Sequence, residues 1–229
     1  MNNKGHILFL LDNPFVHDRR VHREAVTLVE NGYQVTLIAL KSKELLDFEI
    51  VDGVNVHRLL DVSIFDIKQS KAKKKAVQLI ENLNLDVKVI HAHDHTMLDL
   101  GVRLKKNNPK LRLIYDSHEL FSSWPLNVSN YDSWSILIKS YIVRKWQIKI
   151  EKKNAKYIDF LITVNQSLAD YLKNDFRLNT TPLVLRNIPE SENQQLISDS
   201  TILRDKFSIP ISTKILVFIG ANIYSKTLN

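Results

Sequence analysis

Leu111-Arg112-Leu113-Ile114-Tyr115-Asp116-Ser117-His118-Glu119 is a short apolar run that stops abruptly in carboxylates, a hydroxyl and an imidazole. Its leading residues, Leu111–Tyr115, have the length and apolar character of a strand in a parallel sheet covered on both faces. In such a sheet ligands bind outside the carboxyl ends of the strands. His118 and Glu119, released at that end, would point at whatever fills the cleft. The alternative is that Asp116 or Ser117 caps a following helix by accepting from its free N–H groups.

Outward from this stretch the same unit recurs. His6–Leu11 reads as a strand and Asp12–His17 as a loop. Asp18–Asn31 then places Val21, Ala25, Leu28 and Val29 on one helical face, with Gly32 just past its end as a cap. Tyr33–Leu40 and Val54–Leu60 are further strands. Ser70–Leu83 is an amphipathic helix with Ala72, Ala76, Leu79, Ile80 and Leu83 inward and its lysines outward. Val87–His91 is a strand, and Thr96–Lys106 a helix with Met97, Leu100, Gly101 and Leu104 inward. Helix Trp134–Lys153, strand Tyr157–Val164, helix Gln166–Asn174 capped by Asn165, and strand Leu183–Leu185 follow. This alternation predicts an α/β fold, a Rossmann-like parallel sheet flanked by helices.

The character changes at Asn187-Ile188-Pro189. Residues 1–187 are expected to form one domain and 188–213 a linker, polar over Glu190–Ser200, with a short helix at Ile202–Phe207. The apolar strand Lys214–Ile219, ending in Gly220, opens a second βα unit within residues 214–229.

Composition narrows the function. The 229 residues contain no cysteine, which excludes disulfides, thiolate metal sites and a cysteine nucleophile. The run Ile7–Leu11 is too short for a signal-peptide core, so a cytoplasmic protein is expected. A net charge of +7 favours anionic partners. No nucleic-acid module accompanies it, and the basic runs Lys71–Lys75 and Arg144–Lys153 read as solvated helix faces. Trp124, Trp134, Tyr141 and Trp146 interleave with lysines. They pack as core aromatics, or they meet the inner face of an anionic membrane as a peripheral contact.

Two clusters could carry chemistry. Asn13, His17, Asp18, Arg19 and Arg20 precede a helix whose free N–H groups suit a phosphate; the alternative is that Asp18 caps this helix and the arginines are solvated. There is no Gly-x-Gly-x-x-Gly and no Walker loop, so neither a nicotinamide nor ATP is indicated and no cofactor is expected. His91, His93 and His95 would share a face if their strand continued, and three imidazoles can hold zinc. The pattern approaches the His-x-His-x-Asp-His arrangement of metal-dependent hydrolases but is one residue short, which turns Asp94 to the opposite side. His93 and Asp94 lining a polar cleft without metal is the preferred reading, and a metal hydrolase the alternative.

Taken in order, several motifs resemble the N-terminal domain of family 4 glycosyltransferases, which have the GT-B fold. They are Asp18-Arg19-Arg20-Val21 with Arg23-Glu24-Ala25, Gly32-Tyr33-Gln34-Val35-Thr36, Val89-Ile90-His91-Ala92-His93-Asp94, Tyr115-Asp116-Ser117-His118-Glu119, Ile162-Thr163-Val164 and Arg186-Asn187-Ile188-Pro189. The resemblance spans residues 6 to 220. It implies two facing Rossmann-like domains, with transfer of a sugar, with retention, from a nucleotide-sugar donor to a glycan or lipid-linked acceptor. Metal is usually not needed, and cell-surface polysaccharide synthesis is the habitual setting. By the same resemblance His118 contacts the transferred sugar, Glu119, Asp94 and Arg20 shape the acceptor side, and Asn187 sits at the interdomain hinge. Asn13, Asp18 and His93 complete the substrate-binding candidates. Many members carry Gly-Gly in the first loop where this chain has Asp12-Asn13-Pro14-Phe15. The family's donor-binding half has no counterpart beyond Gly220, so a truncated chain, inactive alone, is expected. A non-catalytic membrane- or glycan-binding module is the remaining alternative.

Overall fold

The computed structural model describes residues 4–16, 18–65, 70–123, 134–188 and 201–216. Eight strands form one sheet: β1 (His6–Leu10), β2 (Gln34–Leu40), β3 (Phe48–Val51), β4 (Val54–Leu60), β5 (Val87–His93), β6 (Arg112–Ser117), β7 (Phe160–Thr163) and β8 (Leu183–Val184). Their spatial order is β3-β4-β2-β1-β5-β6-β7-β8. Every pairing is parallel except β3 with β4. The chain winds from β1 towards β3, then starts again at β5 on the other side of β1. A crevice therefore opens between the carboxyl ends of β1 and β5, where chain direction reverses.

The helices are α1 (Arg19–Glu30), α2 (Ser70–Glu81), α3 (Asp94–Asn107), α4 (Trp134–Asn154), α5 (Gln166–Phe176) and α6 (Ile202–Phe207). Strand periodicity divides the core in two. Leu8 and Leu10 of β1 join Ile90, Leu113 and residues of α2, α3 and α5 on one face. Ile7, Phe9 and Leu11 join Val21 and Ala25 of α1 on the other. Residues 1–187 make one compact unit and 188–229 a second.

Most sequence expectations hold within a residue or two, and the exceptions have physical causes. β3 was not foreseen: it is a four-residue edge strand joined to β4 by Asp52-Gly53, both at positive φ. Asp-Gly is the favoured pair for such a hairpin. β6 runs on through Asp116 and Ser117, which pair with His93 and Thr163. Neither side chain is given to a helix cap: Asp116 faces imidazole nitrogens and Ser117 Oγ donates to a backbone carbonyl. β5 likewise extends to His93, and α3 starts at Asp94 rather than Thr96. The strand expected over Tyr157–Val164 shortens to β7, since Ala155–Tyr157 forms a 3-10 turn. Lys214–Leu216 carry no strand, and 217–219 lie outside the described residues, as do His17, Trp124 and the polar stretch 190–200.

Arg58 occupies an inward phase of β4, flanked by Val56 and Leu60, and is 2 % exposed. Its guanidinium donates to Pro14 O at 2.9 Å, Leu46 O at 2.8 Å and Glu49 Oε1 at 2.5 Å. One planar fork thus ties the β1 loop to the edge hairpin. Arg58→Lys keeps the charge but cannot make all three bonds. It is expected to lower unfolding free energy by about 1–3 kcal/mol, seen as a lower urea midpoint at unchanged slope. An unchanged midpoint would contradict this role.

Candidate functional site at the carboxyl ends of β5 and β6

Asp116 is the centre of the site. Strand alternation turns it, with His91 and His93 of the neighbouring β5, onto the face that α1 covers. Its carboxylate is 2 % exposed and Oδ2 lies 3.0 Å from His118 Nε2, 3.4 Å from His93 Nδ1 and 3.6 Å from His91 Nε2. Just past the strand, His118 turns back so that its Nδ1 meets Asp94 Oδ2 at 3.3 Å. The His118 backbone N–H donates to Asp94 Oδ1 at 3.2 Å. Asp94 itself has φ of +60°, in the left-handed region that a non-glycine residue enters at a cost. That geometry aims its carboxylate at His118 from the first turn of α3.

The charges follow from this packing. Burial alone would lower the His118 pKa, but the carboxylates of Asp116 and Asp94 override it and raise it to about 10. Burial would raise Asp116, yet His118, His91 and His93 hold it well below the usual carboxylate range. Asp94 is lowered against the same burial penalty by His118. His93, with no exposed side-chain surface, is pushed down to about 4 by burial and then by His91. One imidazolium between two carboxylates leaves this trio with a net negative charge at neutral pH. Because the His118 pKa lies above its unfolded value, its stabilising contribution is complete below pH 6.5 and lost as pH rises towards 10.

α1 supplies the roof. Asp18 caps the helix, accepting from Val21 N at 3.2 Å, and also accepts from Asn13 Nδ2 at 3.0 Å. Asn13 Oδ1 accepts from Phe15 N at 2.8 Å, fixing a turn in which Phe15 has φ of +56°. Asn13 and Asp18 therefore shape the loop and face each other. Asp12 Oδ2 accepts from Thr96 Oγ1 at 2.7 Å, which joins the loop to α3. One turn into α1, Arg20 and Glu24 face inward. Burial, reinforced by the Asp116 charge, pushes the Glu24 pKa up to about 8, so this carboxyl can donate a hydrogen bond at neutral pH. Both Glu24 oxygens, Arg20 Nε and Nη1, and Nε2 of His91 and His93 are buried without a hydrogen-bond partner. Beside them is a cavity of about 390 Å³ lined by Arg20, Arg23, Glu24, Leu185, Arg186 and Asn187. Asn187 Oδ1 accepts from Arg23 Nη2.

The structure thus brings His93, Asp94 and His118 together, and sets Arg20 and Asn187 around the adjoining cavity. Glu119 is exposed, and its carbonyl accepts from Ser117 Oγ at 3.2 Å. The sequence reading passed over Glu24 as a binding residue, although its spacing of four from Arg20 marks a shared face beside buried Val21 and Ala25. His95 does not join His91 and His93. It lies on α3, not on a continued strand, and stacks on Phe121 with ring centroids 3.5 Å apart.

Ligand atoms of Glu24, His91, His93 and Asp116 all fall within 4.8 Å of one another. Two features argue against a metal centre. The His91 and His93 rings stack with centroids 4.3 Å apart, and a nitrogen of each already lies against the Asp116 carboxylate. Asp116 is already neutralised by His118. Metal analysis of the purified chain is expected to find no stoichiometric zinc, and added zinc to leave the melting temperature unchanged. One tightly held zinc per chain would overturn this reading and favour the hydrolase.

Comparison with known proteins agrees with this architecture. Residues 18–185 match Glycosyltransferase Family 4. The chitobiosyldiphosphodolichol beta-mannosyltransferase of Candida glabrata is 23% identical over 245 residues, covering 94% of this chain and 52% of that protein. Sucrose-phosphate synthase from Thermosynechococcus elongatus superposes with a TM-score of 0.60 at 14% identity, over 90% of this chain and 53% of that one. The catalytic domain of starch synthase IV from Arabidopsis thaliana, solved with ADP and acarbose, gives 0.51 at 13% identity, over 80% and 51%. The chain spans about half the length of these proteins. The parallel sheet is shared with GT-B glycosyltransferases, and the match over residues 18–185 places the chain in glycosyltransferase family 4.

Proposed function

We propose that residues 1–187 are the acceptor-side domain of a retaining glycosyltransferase. It moves a sugar from a nucleotide-sugar donor to a glycan or lipid-linked acceptor, in cell-surface polysaccharide assembly on the cytoplasmic side. The observation that carries this reading is the trio Asp116, His118 and Asp94 at the crevice beside β5, in a chain of family 4. Relatives bear on the substrate classes: the Candida glabrata protein is named for transfer to a diphosphodolichol-linked sugar, and the starch synthase holds ADP.

The chemistry follows from the charges. As the nucleoside diphosphate leaves with the electrons of the glycosyl–oxygen bond, positive charge develops at the anomeric carbon. A buried group with net negative charge, fixed before the reaction, stabilises that charge without reorganising. Cationic His118 does not face the carbocation as a base. It keeps two carboxylates close together and fixed in position. Asp94, the most exposed of the trio, accepts from sugar hydroxyls, while neutral Glu24 is placed to donate. Arg20, Arg23 and Arg186 supply positive charge for phosphate oxygens. Glu119 borders the acceptor, and Asn187 marks the hinge.

The test uses the protein purified from its native host, with nucleotide-sugar turnover and product anomer as readouts. His118→Ala is expected to cost about 10²–10³-fold in turnover, the scale of losing one preorganised electrostatic group. Asp94→Asn, at the open edge, is expected to reduce turnover with the circular dichroism spectrum unchanged, and the product to keep the donor's anomeric configuration. Wild-type turnover in both variants would remove the trio from the mechanism, and an inverted product would reject retention.

A further inference from the structure

α4 presents an exposed surface of apolar and basic side chains. Its C-terminal end is fastened to β6 and to α3: Tyr115 Oη donates to Glu151 Oε1 at 2.6 Å, and Asn154 Nδ2 donates to Asp99 Oδ1 at 3.2 Å. Further back, Arg144 Nη2 donates to the carbonyl of Ser122 at 3.0 Å. Nearer its start the helix leaves several large apolar side chains exposed. Trp134 is 81 % exposed, Ile138 55 % and Ile142 59 %, and Tyr141 and Trp146 are also exposed. Trp134, Ile138, Tyr141 and Ile142 follow helical spacing and share one stripe. Exposed Lys145 and Lys149 continue that stripe towards the anchored end, and Lys145 Nζ lies 5.5 Å from the Tyr141 ring centre. From Trp134 to Ile150 there is no Asp or Glu; Glu151 is buried against Tyr115.

We propose that this face of α4 docks on an anionic lipid surface, with Trp134, Ile138 and Ile142 entering the headgroup layer and Lys139, Lys145 and Lys149 meeting lipid phosphates. Three features select that occupant. Tryptophan and tyrosine favour the boundary between water and hydrocarbon, where one side of the ring is apolar and the other wet. Lysines interleaved with apolar residues can lay their stems on hydrocarbon and keep their ammonium groups in water. A surface bearing only positive charge is complementary to acidic headgroups and repels a second copy of itself. Among the described residues no helix is long and apolar enough to cross a membrane, so the contact is peripheral. The proposal stands on α4 alone and does not depend on the transfer reaction.

The experiment is flotation of the full 229-residue chain with vesicles of phosphatidylcholine alone or with about one-third phosphatidylglycerol. Binding is expected only to the anionic vesicles, weakened at least tenfold by high salt, with a blue shift in tryptophan emission. Lys145→Glu with Lys149→Glu should reduce binding at least tenfold, the scale of reversing two charges near the surface. Trp134→Ser with Ile138→Ser should abolish the emission shift. These positions are exposed, so circular dichroism should be unchanged. Equal binding to neutral vesicles, no binding to either, binding that survives both double variants, or a salt-resistant dimer that the variants dissolve would each overturn the proposal.

Discussion

The site depends on one buried carboxylate. Asp116 sits in the middle of a parallel sheet, where an unpaired charge would cost several kcal/mol. The fold answers by surrounding it with imidazoles from β5 and from the turn after β6. Only one of these needs to carry the balancing proton. His118 holds it, because Asp94 supports it from the other side; His93, enclosed by protein, stays neutral. This division of charge requires β6 to turn back at His118 and α3 to begin with Asp94 in the left-handed region.

The edge of the sheet uses the same device for a different end. Arg58 is a charge in a core position of β4, satisfied by two carbonyls and Glu49. It holds the loop that carries Asn13, Pro14 and Phe15, and so the entry to α1. Through α1 the edge is coupled to Arg20 and Glu24 above the cluster. That loop is a bonded turn around buried Phe15.

Much of this was legible in the sequence because it follows from short-range rules. Parallel strands announce themselves as apolar runs, α1 by its stripe and by Asp18, and α5 by Asn165, whose side chain accepts from Leu168 N. His118 was visible as a polar residue released at a strand end. What escaped depended on pairing across the sheet. The extension of β5 and β6 by two residues each comes from partner strands, not from composition, and it moved Asp116 from the loop into the core. His95 was misplaced for the same reason, since α3 begins one residue before it. Glu24 entered only as part of the motif after Arg23; the packing of α1 over the sheet is what buries its carboxyl oxygens. β3 was missed because four alternating residues are a weak signal, although Asp52-Gly53 marked the hairpin.

The central claim is that His118 is an imidazolium held between Asp116 and Asp94. Nitrogen-15 NMR of the histidine side chains, with His118 assigned from the spectrum of a His118 variant, tests it most directly. The account predicts that both ring nitrogens of His118 stay protonated above pH 8, and that Asp116→Asn brings the titration down. A His118 ring in the wild-type protein that titrates near the ordinary value of 6.5 would contradict it.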